Sequence, residues 1–319
     1  MDIVGAHRYN SDDRLLTLAL QNAFLTIIMH YSRISTVPDK TYSASAAVLL
    51  NELLKGSVSV IIALKKIDVD MDISAAYTAR DPKSLNRAAA SRLPSYLHLS
   101  RLQNLTTQVF SSDCYKLAVP AILYVIQNNL QYVAASNLDV ATFQVTYQMK
   151  ILTTASFSVL MLRKRLSRTK WAALFMLAVG VGIVQIQSTS APAHGSAVHL
   201  STESTVRAMQ PFKGFIAVTL ACMTSGLAGV YFEYILKSSS GSSPPPDLWV
   251  RNTQLSLFSL VPALVPILFG GSDQPGVGYV SGVIAKFSNF NGWAMGTVLT
   301  QTFGGLVTAI VIRYSDNIM

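Results

Sequence analysis

Lys150 lies near the middle of an apolar run, Val140 to Leu162, that is long enough to cross a bilayer. A lysine at that depth costs roughly 2.5 to 3.5 kcal/mol on insertion scales, so it belongs in a protein-lined or water-filled cavity. At about 100° per residue, Phe143, Tyr147, Lys150 and Thr154 fall on one narrow helical arc, with Gln144 and Gln148 beside it. The preceding run, Leu117 to Ala135, adds Gln127, Asn128, Asn129 and Gln131. A cation flanked by rings and amides can hold a phosphate, a stacked base and a hydroxyl-rich sugar together. The plainer alternative is a lysine buried only to pair with a carboxylate inside the bundle. An earlier run, 43–64, carries Asn51, Glu52 and Lys55. Glu52 and Lys55 share one helix face, either as a static ion pair or as part of a cavity wall.

These residues need a membrane scaffold, and the composition supplies one. Half the residues are hydrophobic and 13% are charged, against about a quarter charged in soluble domains. Eight runs have the length of a span: 15–31, 43–64, 117–135, 140–162, 169–186, 215–236, 248–269 and 293–312. They lack strand-like alternation, so the expected fold class is an all-α transmembrane bundle whose backbone satisfies its own hydrogen bonds. Pro120, Pro262 and Pro266 are expected to kink their helices. The stretch 65–116 reads as a polar, mostly disordered loop, with Leu93 to Val109 as a candidate amphipathic surface helix. Small-residue, proline-containing stretches at 188–196 and 238–246 read as flexible linkers.

With the N-terminus cytosolic, 18 lysines and arginines fall on the cytosolic side and five on the other. The positive-inside rule therefore favours that orientation. The net charge of +9 sits in particular loops, which argues against nucleic acid as a partner. Cys114 and Cys222 support no disulfide framework, and the five histidines are scattered, so neither a metal site nor a cofactor is expected. Gly180 and Gly182 form a G-x-G that follows no strand and reads as helix packing. In the sixth run Ser225, Gly226 and Gly229 permit close helix approach before Tyr231 and Glu233; in the seventh, Asn252 and Ser256 lie one turn apart, placed to face a cavity.

Three blocks resemble the nucleotide-sugar transporters of the Golgi, in the drug/metabolite transporter superfamily. They are Leu117 to Thr154; Ser225 to Glu233 running on to W-V-R-N-T-Q at Trp249 to Gln254; and G-G-L-V-T-A-I-V-I-R-Y-S-D-N-I at Gly304 to Ile318. The resemblance implies ten helices in two inverted five-helix repeats around a midplane site, of which this chain would hold eight, leaving the cavity open where two belong. It implies exchange of cytosolic nucleotide-sugar for luminal nucleoside monophosphate, here a UDP-sugar for UMP, without a catalytic residue or cofactor. Lys150 and Lys55 are assigned to phosphate or ribose-side contacts, and Tyr147 and Phe143 to base or sugar. Asn128, Gln144, Ser225, Tyr231 and Asn252 are assigned to hydrogen bonding, with Gln127, Gln148, Glu52 and Glu233 as structural or cavity residues. The A-T-F-Q-V-T-Y-Q block looks more like UDP-galactose carriers than CMP-sialic acid carriers, with UDP-N-acetylglucosamine the runner-up. Association with a second copy or with a glycosyltransferase stays open, as does a transport-inactive membrane partner. A membrane enzyme using Glu52 or Glu233 finds no paired carboxylates or nucleophile–base set to support it.

The sequon Asn104-Leu105-Thr106 falls on the cytosolic side of this topology, so Asn104 is expected to remain unglycosylated. A glycosidase-sensitive mass shift traced to Asn104 would reverse the orientation.

Overall fold

The computed structural model describes residues 3–34, 42–78, 96–190, 210–238, 247–269, 283–284 and 286–314. Every long element among them is helical: α1 (Ile3–Ile34), α2 (Ala44–Thr78), α3 (Tyr96–Val109), α4 (Ala118–Ala135) and α5 (Val140–Tyr147). They are followed by α6 (Met149–Leu162), α7 (Arg168–Ser190), α8 (Pro211–Ser238), α9 (Leu248–Leu268) and α10 (Gly292–Tyr314). A 3₁₀ turn, Cys114–Leu117, leads into α4. Most of the two small-residue linkers lies outside the described residues.

Four of these helices are long and apolar enough to cross a membrane: Ala44–Ile67, Arg168–Gln187, Pro211–Lys237 and Gly292–Val311. A bent pair, Leu102–Val109 with Cys114–Ala135, makes a fifth if it counts as one span. The described helices therefore establish an all-helical membrane protein with four or five spans by this measure. The run 140–162 is two helices of 8 and 14 residues, each too short alone. In α9, Arg251, Asn252 and Gln254 dilute an otherwise apolar segment.

The polar stretch after residue 64 differs from expectation. The helix of the second run continues to Thr78, and α3 forms at Tyr96–Val109. No proline or glycine interrupts 57–78, so nothing in the backbone ends the helix where its apolar face does. Leu105 and Val109 of α3 bury against Ala63 and Ile67 of α2 and Val250 of α9, while Leu102 is exposed. Gln254 fixes the end of α3 by donating to the carbonyls of Gln108 (3.2 Å) and Val109 (2.7 Å). Those carbonyls would otherwise lack helical partners.

Local chemistry sets the other boundaries. Asp139 N-caps α5 by accepting the Thr142 N–H at 2.9 Å. Burial pushes its carboxyl up, but hydrogen bonds from Thr142 outweigh that and hold it below its ordinary range. Asp247 caps α9 through the Trp249 N–H at 3.3 Å and pairs with Lys66 of α2. Arg163 takes a left-handed φ of 54° and turns the chain out of α6. The expected kink sites Pro262 and Pro266 lie inside α9, which continues as one helix through both.

The principal packing pairs are α4 with α8, α2 with α9, α6 with α8, and α1 with α10. An apolar cluster containing Met29, Tyr42, Val48, Tyr132, Ile267 and Val298 joins α1, α2, α4, α9 and α10. A second, with Leu117, Ala121, Phe232, Ile235 and Leu255, joins α4, α8 and α9. The α6–α8 contact brings a glycine against backbone. A Cβ at Gly226 would lie 2.7 Å from Thr153 Oγ1 and 2.9 Å from the backbone nitrogen of Thr154.

Gly226→Ala is therefore expected to destabilise the purified protein by about 1 to 3 kcal/mol through overpacking, despite alanine's better helix propensity. Gly180→Ala, where a Cβ would meet nothing within 4 Å, should be neutral or slightly stabilising. Thermal unfolding of the two variants in detergent checks the contrast; equal melting temperatures would contradict it.

Candidate functional site

Eight helices converge on one cavity with about 1010 Å³ of empty space, counted to its open mouth. Its wall is a mixture of amides, hydroxyls, two lysines and small residues. Seven residues assigned from the sequence to the site or its wall reach it: Lys55 from α2, Gln127 and Asn128 from α4, Tyr147 from α5, Lys150 from α6, Ser225 from α8 and Asn252 from α9.

The two lysines differ in their surroundings. Lys55 places its ammonium 2.8 Å and 2.7 Å from the two carboxylate oxygens of Glu52. Glu52 has no exposed surface, and Asn51 Nδ2 also donates to its Oε1 at 3.2 Å. Thr302 of α10 completes the chain by donating to Asn51 Oδ1 at 2.9 Å. The pair is thus both things the sequence left open, since Glu52 is buried structure and Lys55 is cavity wall. Lys150 is half-buried, and its ammonium lies 5.6 Å from the centroid of the Tyr147 ring. No carboxylate among the described residues pairs with it.

Tyr147 is fixed from several directions. Gln127 Nε2 donates to its hydroxyl at 3.2 Å, and Gln131 Nε2 donates to the same oxygen. The Phe143 ring stacks on it with centroids 5.6 Å apart and planes 8° from parallel. Phe143 itself does not reach the cavity. It is 3% exposed, in a cluster with Ala134, Leu138, Val218 and Cys222. The single arc from Phe143 to Thr154 is interrupted because Gln148 forms a turn between α5 and α6, its N–H bonding to Val145 O.

Other expected residues are also placed behind the wall. Gln144 accepts from Thr26 Oγ1 at 2.7 Å, tying α5 to α1. Tyr231 packs beside the Leu117–Phe232 cluster. Glu233 is fully buried and accepts from Lys164 (2.8 Å) and Lys237 (2.7 Å), joining the α6–α7 loop to α8.

The structure adds wall residues that the sequence reading did not assign to the site. Gln21 and Asn22 come from α1, Tyr124 and Gln131 from α4, and Gln301 and Thr308 from α10. The adjacent amides at 21–22, set between apolar residues like Gln127–Asn129, were the available signal. Gly304 lets the Gln21 side chain pass, since a Cβ there would lie 2.1 Å from Gln21 Nε2. Within the wall, Gln127 Oε1 and Asn252 Nδ2 are buried with no hydrogen-bond partner.

At the end where α1 and α4 finish and α10 begins, buried Arg33 seals the bundle. Its guanidinium donates to Ser136 Oγ (2.9 Å) and the Tyr42 carbonyl (2.6 Å) and lies over the Tyr42 and Tyr132 rings. The Tyr132 hydroxyl then donates to the wall residue Gln301 at 3.3 Å.

Comparison with known proteins agrees with this architecture. A family model described as "Nucleotide-sugar transporter" matches residues 12–319. The chain is 41% identical over 309 residues to the UDP-galactose transporter of Schizosaccharomyces pombe, covering 96% of this chain and 74% of that protein. It is 40% identical over 316 residues to the UDP-galactose translocator of Mus musculus, covering 99% and 68%. It is 38% identical over 305 residues to the UDP-N-acetylglucosamine transporter of Rattus norvegicus, covering 95% and 79%.

Removing Glu52 would leave the Lys55 ammonium buried without its counter-charge. Glu52→Ala is expected to destabilise the protein by roughly 3 to 5 kcal/mol, and the double variant Glu52→Leu/Lys55→Met by much less. Thermal or denaturant unfolding of both variants tests this. If Glu52→Ala is as stable as the double variant, the pair does not hold this part of the wall together.

Proposed function

The chain belongs to the nucleotide-sugar transporter family, and on that premise we propose that it moves UDP-galactose from the cytosol into the Golgi lumen in exchange for UMP. The observation that carries this reading is the cavity's uncompensated cation. Lys150 stands beside a fixed tyrosine ring and a set of amides, an arrangement suited to a diphosphate flanked by a base and a sugar. In this reading Lys150 contacts phosphate, with Lys55 on the phosphate or ribose side. Tyr147 contacts base or sugar, and Asn128, Ser225 and Asn252 supply hydrogen bonds. Phe143 acts through the Tyr147 ring that it backs, and Gln144 and Tyr231 through packing.

Exchange suits the charge balance. Glu52 cancels Lys55, so the empty wall carries one net positive charge from Lys150. A monoester phosphate brings about −1.5 to −2 near neutral pH, and a nucleotide-sugar's diphosphate about −2, so the loaded cavity has similar charge on both strokes. Alternating access would present the midplane site to each side in turn. Galactose is preferred because the relatives at 41% and 40% identity are named for it. UDP-N-acetylglucosamine is the second reading, favoured by the relative at 38%.

Proteoliposomes preloaded with UMP and offered a panel of labelled UDP-sugars test the proposal. Saturable, preload-dependent uptake should be fastest for UDP-galactose; faster UDP-N-acetylglucosamine uptake would select the second reading. Absence of exchange with every nucleotide-sugar would overturn both. In the same assay Lys150→Ala is expected to abolish uptake without loss of folded protein, and Lys150→Arg to restore little, because a planar guanidinium is not a compact ammonium. Near-normal uptake by Lys150→Ala would remove Lys150 from the site.

A further inference from the structure

Five of the eight residues from Arg163 to Lys170 are basic, and they join α6 to α7 through a short non-helical loop. The cavity does not use them. Lys164 turns inward to the buried carboxylate of Glu233 at 2.8 Å, whereas Arg163, Arg165, Arg168 and Lys170 are exposed. Those four form no ion pair with any described residue. The left-handed turn at Arg163 and the Lys164–Glu233 contact anchor the loop against the bundle.

α7 continues this pattern into the membrane. Arg168, Trp171 and Phe175 recur at intervals of three and four residues, so they share one helix face, and all three are exposed. From the helix end inward, that face presents a guanidinium, an indole and a phenyl ring. The order matches the headgroup, interface and acyl layers of a leaflet. Leu160, at the end of α6, adds exposed apolar surface beside the same loop.

From this geometry we propose that the α6–α7 loop and the first turns of α7 form a binding surface for anionic phospholipid. The headgroup phosphate is held by Arg163, Arg165, Arg168 and Lys170, and the upper acyl chain lies along Trp171 and Phe175. Clustered basic residues at a membrane boundary are attracted to anionic headgroups, and no described carboxylate competes for these four. Because Lys164 of the same loop holds Glu233 of α8, bound lipid stabilises the α6–α8 end of the bundle. The inference depends on the chain crossing a membrane and not on which solute it carries.

The test uses the full chain in nanodiscs of phosphatidylcholine alone or with phosphatidylserine as a minor component. Phosphatidylserine is expected to raise the melting temperature by several degrees. Arg163→Gln/Arg165→Gln/Arg168→Gln should lose that increment, whereas Lys150→Ala should keep it. An increment unchanged in the triple variant, or none in the wild type, would overturn the proposal. So would an equal increment from soluble glycerophosphoserine, which has no acyl chain. A second measurement does not depend on the triple variant folding. Brominated phosphatidylserine should quench tryptophan fluorescence more than brominated phosphatidylcholine at equal mole fraction, and the surplus should vanish in Trp171→Phe. Equal quenching by the two lipids would refute the site.

Discussion

An ammonium group held midway across a bilayer has to be neutralised by the protein or left in contact with a water-filled space, and this bundle does one of each. Lys55 sits against Glu52, whose carboxylate is fully buried and further held by Asn51. Lys150 lies beside the Tyr147 ring and pairs with no carboxylate among the described residues. Replacing Lys150's missing counter-charge with a resident carboxylate would cancel the attraction that an anionic ligand needs. Leaving Lys55 equally bare would place two like charges in one cavity. The division between one neutralised and one open cation gives the cavity its net charge.

The remaining architecture keeps that cavity in register. Arg33 at one end and Glu233 at the other are buried charged groups, Glu233 reached by the partly exposed Lys164 and Lys237, and their contacts tie separate segments together. Hydrogen bonds to charged groups are worth more than neutral ones, about 1.5 to 3 kcal/mol each, and in an apolar surround their loss is costly. Between these tied ends the wall relies on small residues. At Gly304 the backbone makes room for Gln21, and at Gly226 two helices meet at a distance no side chain would allow.

The membrane class, the helical bundle and the two lysines were all legible in the amino-acid order, because a charged residue inside an apolar run is a conspicuous exception. The break at Gln148 was not. No proline or glycine marks it, so periodicity carried a single helix through residues 140–162 and put Phe143 on the same face as Lys150. The placement of Gln144 and Tyr231 was hidden for a related reason: polar groups inside a bundle serve helix–helix hydrogen bonds as readily as a cavity, and only the Thr26 contact distinguishes the two for Gln144. Gln21 and Asn22 escaped notice because an amide carries no charge penalty large enough to demand explanation on its own. Tyr124 reads as ordinary core until α8 and α9 are placed beside it. The continuation of α2 to Thr78 was hidden by the opposite effect, since polar composition suggested a loop although no residue there breaks a helix.

Thr153 Oγ1 lies 2.8 Å from the carbonyl oxygen of Cys222, and Gly226 meets the backbone of α6 one turn later, so α6 and α8 form a close-packed pair. A similar close approach joins Gly56 of α2 to Ser256 of α9, where an added Cβ would lie 3.1 Å from the serine side chain. The first pair carries Lys150 and Ser225, and the second carries Lys55 and Asn252. Between them stands α4, packed on both α8 and α9, so any change in the separation of Lys55 and Lys150 slides α4 against one pair or the other. That single length is a natural ruler for the bundle, readable by a pair of spectroscopic labels set on the outer faces of α6 and α2.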